Sequence, residues 1–272
     1  MTTPTLALRE WGGGRDLPLL VLGPSLGTST ILWETCAPLL RERYRLLAWD
    51  LPGHGAAPAA TDPFTVAELA DAVAAAVDAI EGTVDGEPFL YAGVSLGGAT
   101  GLELLLRHGS RVRAAAIIAS GAQLGEPLAW RERAAKVRAE STSSILIASA
   151  ERWFAEGSMA AHPDLTGRLL HALQDADDES YALCCEALAA YDVRAELGAV
   201  TAPVLALWGR HDAVAPEPKA VEIAEGVAHG QSAVIEGAAH LPPAEQPGTT
   251  AAALIGLFDR HAARPHSEGA SS

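Results

Sequence analysis

Apolar and polar positions along the chain fall into two alternating patterns. Runs of mostly apolar residues, bounded by Gly, Pro or Asp, occur at Leu17–Leu22, Tyr44–Trp49, Pro88–Val94, Ala114–Ala119, Pro203–Trp208 and Ser232–Ile235. Short runs of this kind predict strands buried on both faces of a sheet. Between them, Thr65–Glu81, Leu96–Arg107, Glu217–Val227 and Thr249–Ala262 carry apolar residues at helical spacing. Val66, Leu69, Ala70, Val73 and Val77, for example, share one helix face. Strand and helix in alternation predict an α/β fold, with a mostly parallel sheet flanked by helices and joined by right-handed crossovers. Leu6–Trp11, ahead of the first buried run, predicts an antiparallel edge strand.

The alternation breaks once. Between Gly121 and Leu197 no strand pattern occurs, and Trp130–Arg138, Ser144–Phe154, Leu165–Leu173 and Glu179–Tyr191 read as short helices. Thr201-Ala-Pro203 then restarts the strand pattern. A helical insertion over 121–197 predicts a cap, or lid, above the carboxyl ends of the strands, where open α/β sheets bind their ligands. Segments 1–120 and 198–262 form the expected core, and 263–272, containing Pro, Ser and Gly, is expected to be a flexible tail.

Composition narrows the function. A chain of 272 residues, 49% hydrophobic and 19% charged, has the material for one sizeable core and is unlike a disordered chain. Its formal net charge of −15 opposes a nucleic acid or an anionic membrane surface as partner. Cys36, Cys184 and Cys185 make an odd set without CxxC spacing, which argues against both a disulfide framework and a metal site. The first residues lack the charged and apolar regions of a secretory signal, and no run of 18 apolar residues occurs. A cytoplasmic protein is therefore expected.

Gly93-Val94-Ser95-Leu96-Gly97 follows one predicted strand and opens a predicted helix, the context in which a Gly-x-Ser-x-Gly elbow presents a nucleophile. Glycines suit it because the turn is tight enough for flanking side chains to collide with backbone. A serine hydroxyl needs a base to take its proton, and imidazole is the usual one. Of nine histidines, His240 follows the last predicted strand and precedes the last predicted helix, on the same rim as Ser95. His54, in Asp50-Leu-Pro-Gly-His-Gly55, reads as a structural loop histidine bonded to backbone. His108, His162, His171, His229, His261 and His266 read as solvated, and His211 as exposed. The acid orienting the imidazole should also leave a strand end, as Asp212 does after Pro203–Trp208. The chain order Ser95, Asp212, His240 is the one this sheet architecture uses. Asp50, also at a strand end, competes but precedes the nucleophile. An oxyanion hole needs two N–H groups. Leu96 is expected to supply one, and the Gly23-Pro24-Ser25-Leu26-Gly27 turn the other, with Ser25 favoured over Leu26 because Pro24 has no N–H.

Through Ser95, Asp212, His240 and the Asp50–Gly55 turn, the sequence resembles the α/β-hydrolase superfamily. Within it, the chain is most similar to the 3-oxoadipate enol-lactonases of aromatic-acid catabolism, the β-ketoadipate pathway. The finer likeness rests on Ser25-Leu-Gly-Thr28 with Trp33, Trp130-Arg-Glu-Arg133, Arg152-Trp-Phe154, Tyr181-Ala-Leu-Cys-Cys185 and Ala238-Ala-His-Leu241. It departs at Pro52, where the family commonly has Arg, and at Ser158 and Met159, where an aromatic is common. These departures bear on the substrate more than on the reaction.

The resemblance implies an α/β-hydrolase fold with a helical cap insertion. It also implies hydrolysis of a small anionic enol-lactone through an acyl-enzyme. A carboxylate-bearing substrate entering a chain of this charge needs a local cation. Arg133 is the first candidate and Arg152 the second, with Trp130 and Trp153 as pocket walls. The alternatives are another serine hydrolase on the same scaffold, a carboxylesterase or a carbon–carbon bond hydrolase, and a ligand-binding receptor without turnover. Serine, imidazole and backbone dipoles suffice for acyl transfer, so neither a metal nor an organic cofactor is expected.

Overall fold

The computed structural model describes residues 4–80 and 86–261. The expected tail, 263–272, lies outside the described residues, as do Glu81 and Ala262 at the predicted ends of two helices.

Seven strands form one sheet: β1 (Ala7–Gly12), β2 (Leu19–Gly23), β3 (Arg45–Asp50), β4 (Phe89–Val94), β5 (Val112–Ile118), β6 (Val204–Gly209) and β7 (Gly230–Ile235), in the order β1-β3-β2-β4-β5-β6-β7. Every neighbouring pair is parallel except β1 with β3, where Ala7 faces Asp50 in an antiparallel edge ladder. Strands β3, β4 and β6 are buried at every position, as near-continuous apolar runs require when helices cover both faces. β7 departs from that expectation. It ends the sheet, and Gln231 and Ser232 face solvent, as an edge strand tolerates.

The helices, in chain order, are α1 (Ala37–Leu40), α2 (Val66–Asp78), α3 (Leu96–Arg107), α4 (Pro127–Glu140), α5 (Leu146–Trp153), α6 (Ser158–Ala161), α7 (Pro163–Asp175), α8 (Asp178–Ala190), α9 (Glu217–Gly226), α10 (Pro242–Glu245) and α11 (Pro247–Phe258). Helix α2 opens on a capping box, in which Thr65 Oγ1 accepts from Glu68 N–H and the Glu68 carboxylate accepts from Thr65 N–H. Val66, Leu69, Ala70, Val73 and Val77 are all buried, the single face that their spacing predicts. Between β5 and β6 the described residues form helices and no strand. The one-turn helices α1, α6 and α10 are too short for periodicity to reveal.

The sheet order positions the site. The chain starts at the edge strand β1, crosses to β2, steps back to β3 between them, and then continues on the other side of β2 with β4. The direction of winding therefore reverses between β2 and β4, where crevices open at the strands' carboxyl ends. Gly23 pairs with Gly93 in the β2–β4 ladder. The turn after β2 and the turn after β4 consequently leave the sheet side by side.

Candidate active site

Ser95 stands between β4 and α3 with φ 56° and ψ −114°. This conformation is strained for a residue with a side chain, and such strain persists only where the surroundings hold it. They do so here. Ser95 N–H donates to the Ile118 carbonyl at 2.8 Å, and the Ser120 hydroxyl donates to the Ser95 carbonyl at 2.7 Å. A Cβ on Gly93 would lie 2.2 Å from the Gly97 carbonyl oxygen, and one on Gly97 would lie 2.5 Å from that of Pro24. Both glycines are thus required by close approach of backbone.

The candidate base and acid meet across the ends of β6 and β7. His240 Nδ1 lies 3.0 Å from Asp212 Oδ2, with both side chains almost wholly buried. The carboxylate accepts the Nδ1 proton, which leaves Nε2 as the nitrogen able to take another. Asp212 Oδ1 accepts from the N–H groups of Val214 at 2.8 Å and Ala215 at 3.0 Å. Burial alone would raise the Asp212 carboxyl. The imidazole beside it and these donors outweigh burial and hold it below its ordinary range. Asp50, the competing acid, is spent elsewhere: its oxygens accept from Thr30 N–H at 2.6 Å and Ala56 N–H at 3.0 Å, bracing its own loop.

The turn after β2 corrects one expectation. Ser25 N–H donates to Thr28 Oγ1 at 3.1 Å, and the Thr28 hydroxyl donates back to the Ser25 carbonyl at 2.8 Å, closing a local ring. Ser25 N–H is therefore occupied. Leu26 N–H and Leu96 N–H have no hydrogen-bond partner among the described residues. Gly97 N–H donates to the Pro24 carbonyl at 2.9 Å, which pins this turn to the serine elbow.

Ser95 and His240 line a cavity of about 260 Å³ that Leu26, Val214 and the helices of 121–197 enclose. Arg133 and Arg152 both reach it, with no carboxylate in ion-pair range of either among the described residues, and one acidic residue, Glu126, lines it as well. Arg133 is half-buried, donating from Nε to the Tyr181 hydroxyl at 2.9 Å and from Nη2 to Ser149 Oγ at 3.0 Å. Arg152 is exposed at the rim, where its Nε donates to the Ala148 carbonyl at 3.0 Å. Trp153 is buried edge-on against Phe154, whereas Trp130 is half-buried with its indole N–H on the Leu124 carbonyl. Both tryptophans line the cavity.

Residues 18–247 match the alpha/beta hydrolase fold family. The chain belongs to that family. This hydrolase is 32% identical over 235 residues to 3-oxoadipate enol-lactonase 2 of Acinetobacter baylyi, covering 86% of each chain. It is 30% identical over 249 residues to a pimeloyl-[acyl-carrier protein] methyl ester esterase of Aeromonas hydrophila, covering 88% of this chain and 93% of that one. Among solved structures, the enol-lactonase from Burkholderia xenovorans LB400 superposes with a TM-score of 0.87 at 30% identity, over 94% of this chain and 97% of that chain. The protein is thus an α/β hydrolase of the kind that acts on ester or lactone bonds.

The hydrolase's remaining candidates separate cleanly. His54 is fully buried, with Nδ1 2.8 Å from the Pro52 carbonyl and its ring stacked on Tyr181, and burial depresses its pKa to about 4. It is a neutral structural histidine, as the loop predicts. His211 is exposed. His108 is not simply solvated, because its Nε2 lies 2.7 Å from Asp71 Oδ1. His266 lies outside the described residues. The cysteines are free and buried, and burial pushes the Cys36 and Cys185 thiols up to about 12, so neither offers a competing thiolate. Among the described residues, no group of His, Cys, Asp and Glu side chains could hold a metal ion, and no helix is long and apolar enough to cross a membrane.

Sequence reasoning left Tyr181 without a role, although its segment belonged to the resemblance. It lines the cavity and holds Arg133.

Proposed function

We propose that the protein hydrolyses an enol-lactone bearing a carboxylate, of the 3-oxoadipate enol-lactone kind, through an acyl-enzyme on Ser95. The observation that carries this reading is the cavity itself. A strained serine and an acid-oriented histidine share it with two arginines that lack carboxylate partners among the described residues. The name of the Acinetobacter relative supports the same substrate class.

In this mechanism, His240 Nε2 takes the Ser95 proton as Oγ attacks the lactone carbonyl. The N–H groups of Leu26 and Leu96 hold the developing oxyanion, Leu26 replacing Ser25 because the latter's N–H is bound to Thr28. The ring oxygen departs as an enolate, a better leaving group than an alkoxide. His240 protonates it, and the resulting enol becomes a ketone while the acyl group remains on Ser95. Water activated by His240 then releases the acid. Asp212, held ionised by its donors, stabilises the imidazolium. Segment 121–197 acts as the cap, with Arg133 taking the substrate carboxylate, Arg152 guarding the rim, and Trp130 and Trp153 as apolar walls. A cytoplasmic setting belongs to the same proposal, and three buried free thiols agree with it.

A methyl ester is the second substrate class, favoured by the Aeromonas relative. One assay separates the readings: steady-state turnover of 3-oxoadipate enol-lactone beside p-nitrophenyl acetate, a dicarboxylic acid methyl ester and a vinylogous diketone. The lactone should have the highest kcat/KM, and Ser95→Ala should abolish its turnover. Full activity in that variant would overturn the mechanism, and a preference for the methyl ester or the diketone would overturn the substrate.

A further inference from the structure

Glu245, the last residue of α10, is a buried carboxylate with 2% of its surface exposed. Its two oxygens face different parts of the chain. Oε1 accepts from the N–H groups of Ala239 at 2.8 Å and Leu241 at 3.3 Å, the residues on either side of His240. Oε2 accepts from Ala155 N–H at 2.7 Å and the Ser158 hydroxyl at 2.8 Å, at the corner between α5 and α6. Three of the four partners are backbone N–H groups that can only donate, so the carboxyl oxygens accept from both sides at once, with the Ser158 hydroxyl as the fourth partner. No cationic side chain pairs with it among the described residues.

A carboxyl group buried in this way is costly unless its oxygens are bonded, and fixed donors are what offset the cost. An apolar side chain would pack α10 without that penalty. What the carboxylate adds is a two-sided tie. Its inner edge fixes the backbone that carries the imidazole, and its outer edge fixes the corner next to Trp153, which walls the cavity. The carbonyl of Trp153 itself accepts His240 N–H at 3.1 Å, so of three successive N–H groups the outer two end on Glu245 and the middle one on the wall residue.

We propose that Glu245 is a positioning residue that sets the catalytic base and the cap wall together, so that substrate contact at the cap and placement of His240 are mechanically coupled. This rests on the reading of His240 as the base.

The two edges respond differently to substitution. In Glu245→Gln, the amide oxygen can serve the N–H groups of Ala239 and Leu241, neither of which can become an acceptor. The amide NH2 then faces Ser158, whose hydroxyl can turn to accept, and only the Ala155 bond is lost. Glu245→Ala loses both edges, and Ser158→Ala weakens the outer edge alone.

The test measures kcat and KM for the lactone and for p-nitrophenyl acetate in these three variants and in His240→Ala, well below each variant's thermal midpoint. Glu245→Ala should lower kcat at least tenfold on both substrates. Glu245→Gln should restore kcat to within threefold of the parent while KM for the lactone stays raised two- to fivefold, and Ser158→Ala should raise KM alone. A kcat in Glu245→Ala within twofold of the parent, or a kcat in Glu245→Gln as low as that of the alanine variant, would overturn the proposal. Should the alanine variant not fold, the other two decide: a raised KM with kcat retained supports the tie, and an unchanged KM in both overturns it. Full turnover in His240→Ala would instead sink the assignment of the base, a separate result.

Discussion

Arg133 Nε donates to the Tyr181 hydroxyl at 2.9 Å, a bond that joins α4 to α8 across the roof of the cavity. With Nη2 on Ser149 Oγ, the guanidinium is oriented by neutral partners and keeps its charge uncompensated. That is the arrangement expected of a site awaiting an anion, since a guanidinium already paired with a carboxylate would have to exchange one for another.

Arg133→Ala should therefore raise KM for a carboxylated lactone by about tenfold to a hundredfold, the range expected for losing a charged hydrogen bond. KM for p-nitrophenyl acetate should change little. Arg133→Lys should recover only part of the loss, because an ammonium cannot reproduce the fork. An equal rise for both substrates would remove Arg133 from the anion site.

Asp212→Asn should lower kcat by about four orders of magnitude, because an amide in that place favours the wrong imidazole tautomer. Its effect on KM should be small. The carboxyl lies below its ordinary range, so it stays ionised to lower pH than a free aspartate does. An acid limb of the parent's rate profile lying in the ordinary carboxylate range and assignable to Asp212 would contradict that depressed pKa.

Gly97→Ala tests the contact between the two turns. Its Cβ would lie 2.5 Å from the Pro24 carbonyl oxygen, which accepts Gly97 N–H at 2.9 Å. The β2 turn must retreat, taking Leu26 N–H from the proposed oxyanion hole. A kcat loss of about a hundredfold or more is expected, the usual effect of losing one oxyanion donor. Circular dichroism should meanwhile show a folded chain. A variant with normal kcat would mean that the turn takes no part in holding the oxyanion.

His54 gives the fold a pH dependence of definite sign. Its pKa is depressed by burial from 6.5 to about 4, so between those values the unfolded chain binds a proton that the folded chain does not. Stability should fall with acidification across that window, by about 3 kcal/mol from this residue alone. His54→Asn keeps a donor for the Pro52 carbonyl but does not titrate there. Its denaturation midpoint should decline less than the parent's between pH 6.5 and pH 4, and parallel curves would refute the assignment.

Much of the fold was legible because its signals are local. The apolar runs marked each strand to within two or three residues at either end, and Leu96–Arg107 matched helix α3 at both ends. The predicted run Ala114–Ala119 ended one residue late, since β5 stops at Ile118 and Ala119 turns to φ 48° on leaving the sheet, a reversal that composition does not reveal. Hydropathy likewise cannot tell an edge strand from a central one, which is why β7 carries exposed residues in a run read as buried.

The site divides along the same line. By itself the sequence determined the serine elbow, the chain order of the candidate nucleophile, acid and base, and the loop histidine at 54, because tight turns and strand ends restrict which residues stand beside which over a few positions. Only the tertiary structure decided that Thr28 closes on Ser25 N–H, that Tyr181 orients Arg133, and that Glu245 ties the loop of His240 to Ala155 and Ser158. Those outcomes depend on where donors and acceptors from separate elements, or from opposite sides of one turn, come to rest in space. No periodicity along the chain encodes a distance of that kind.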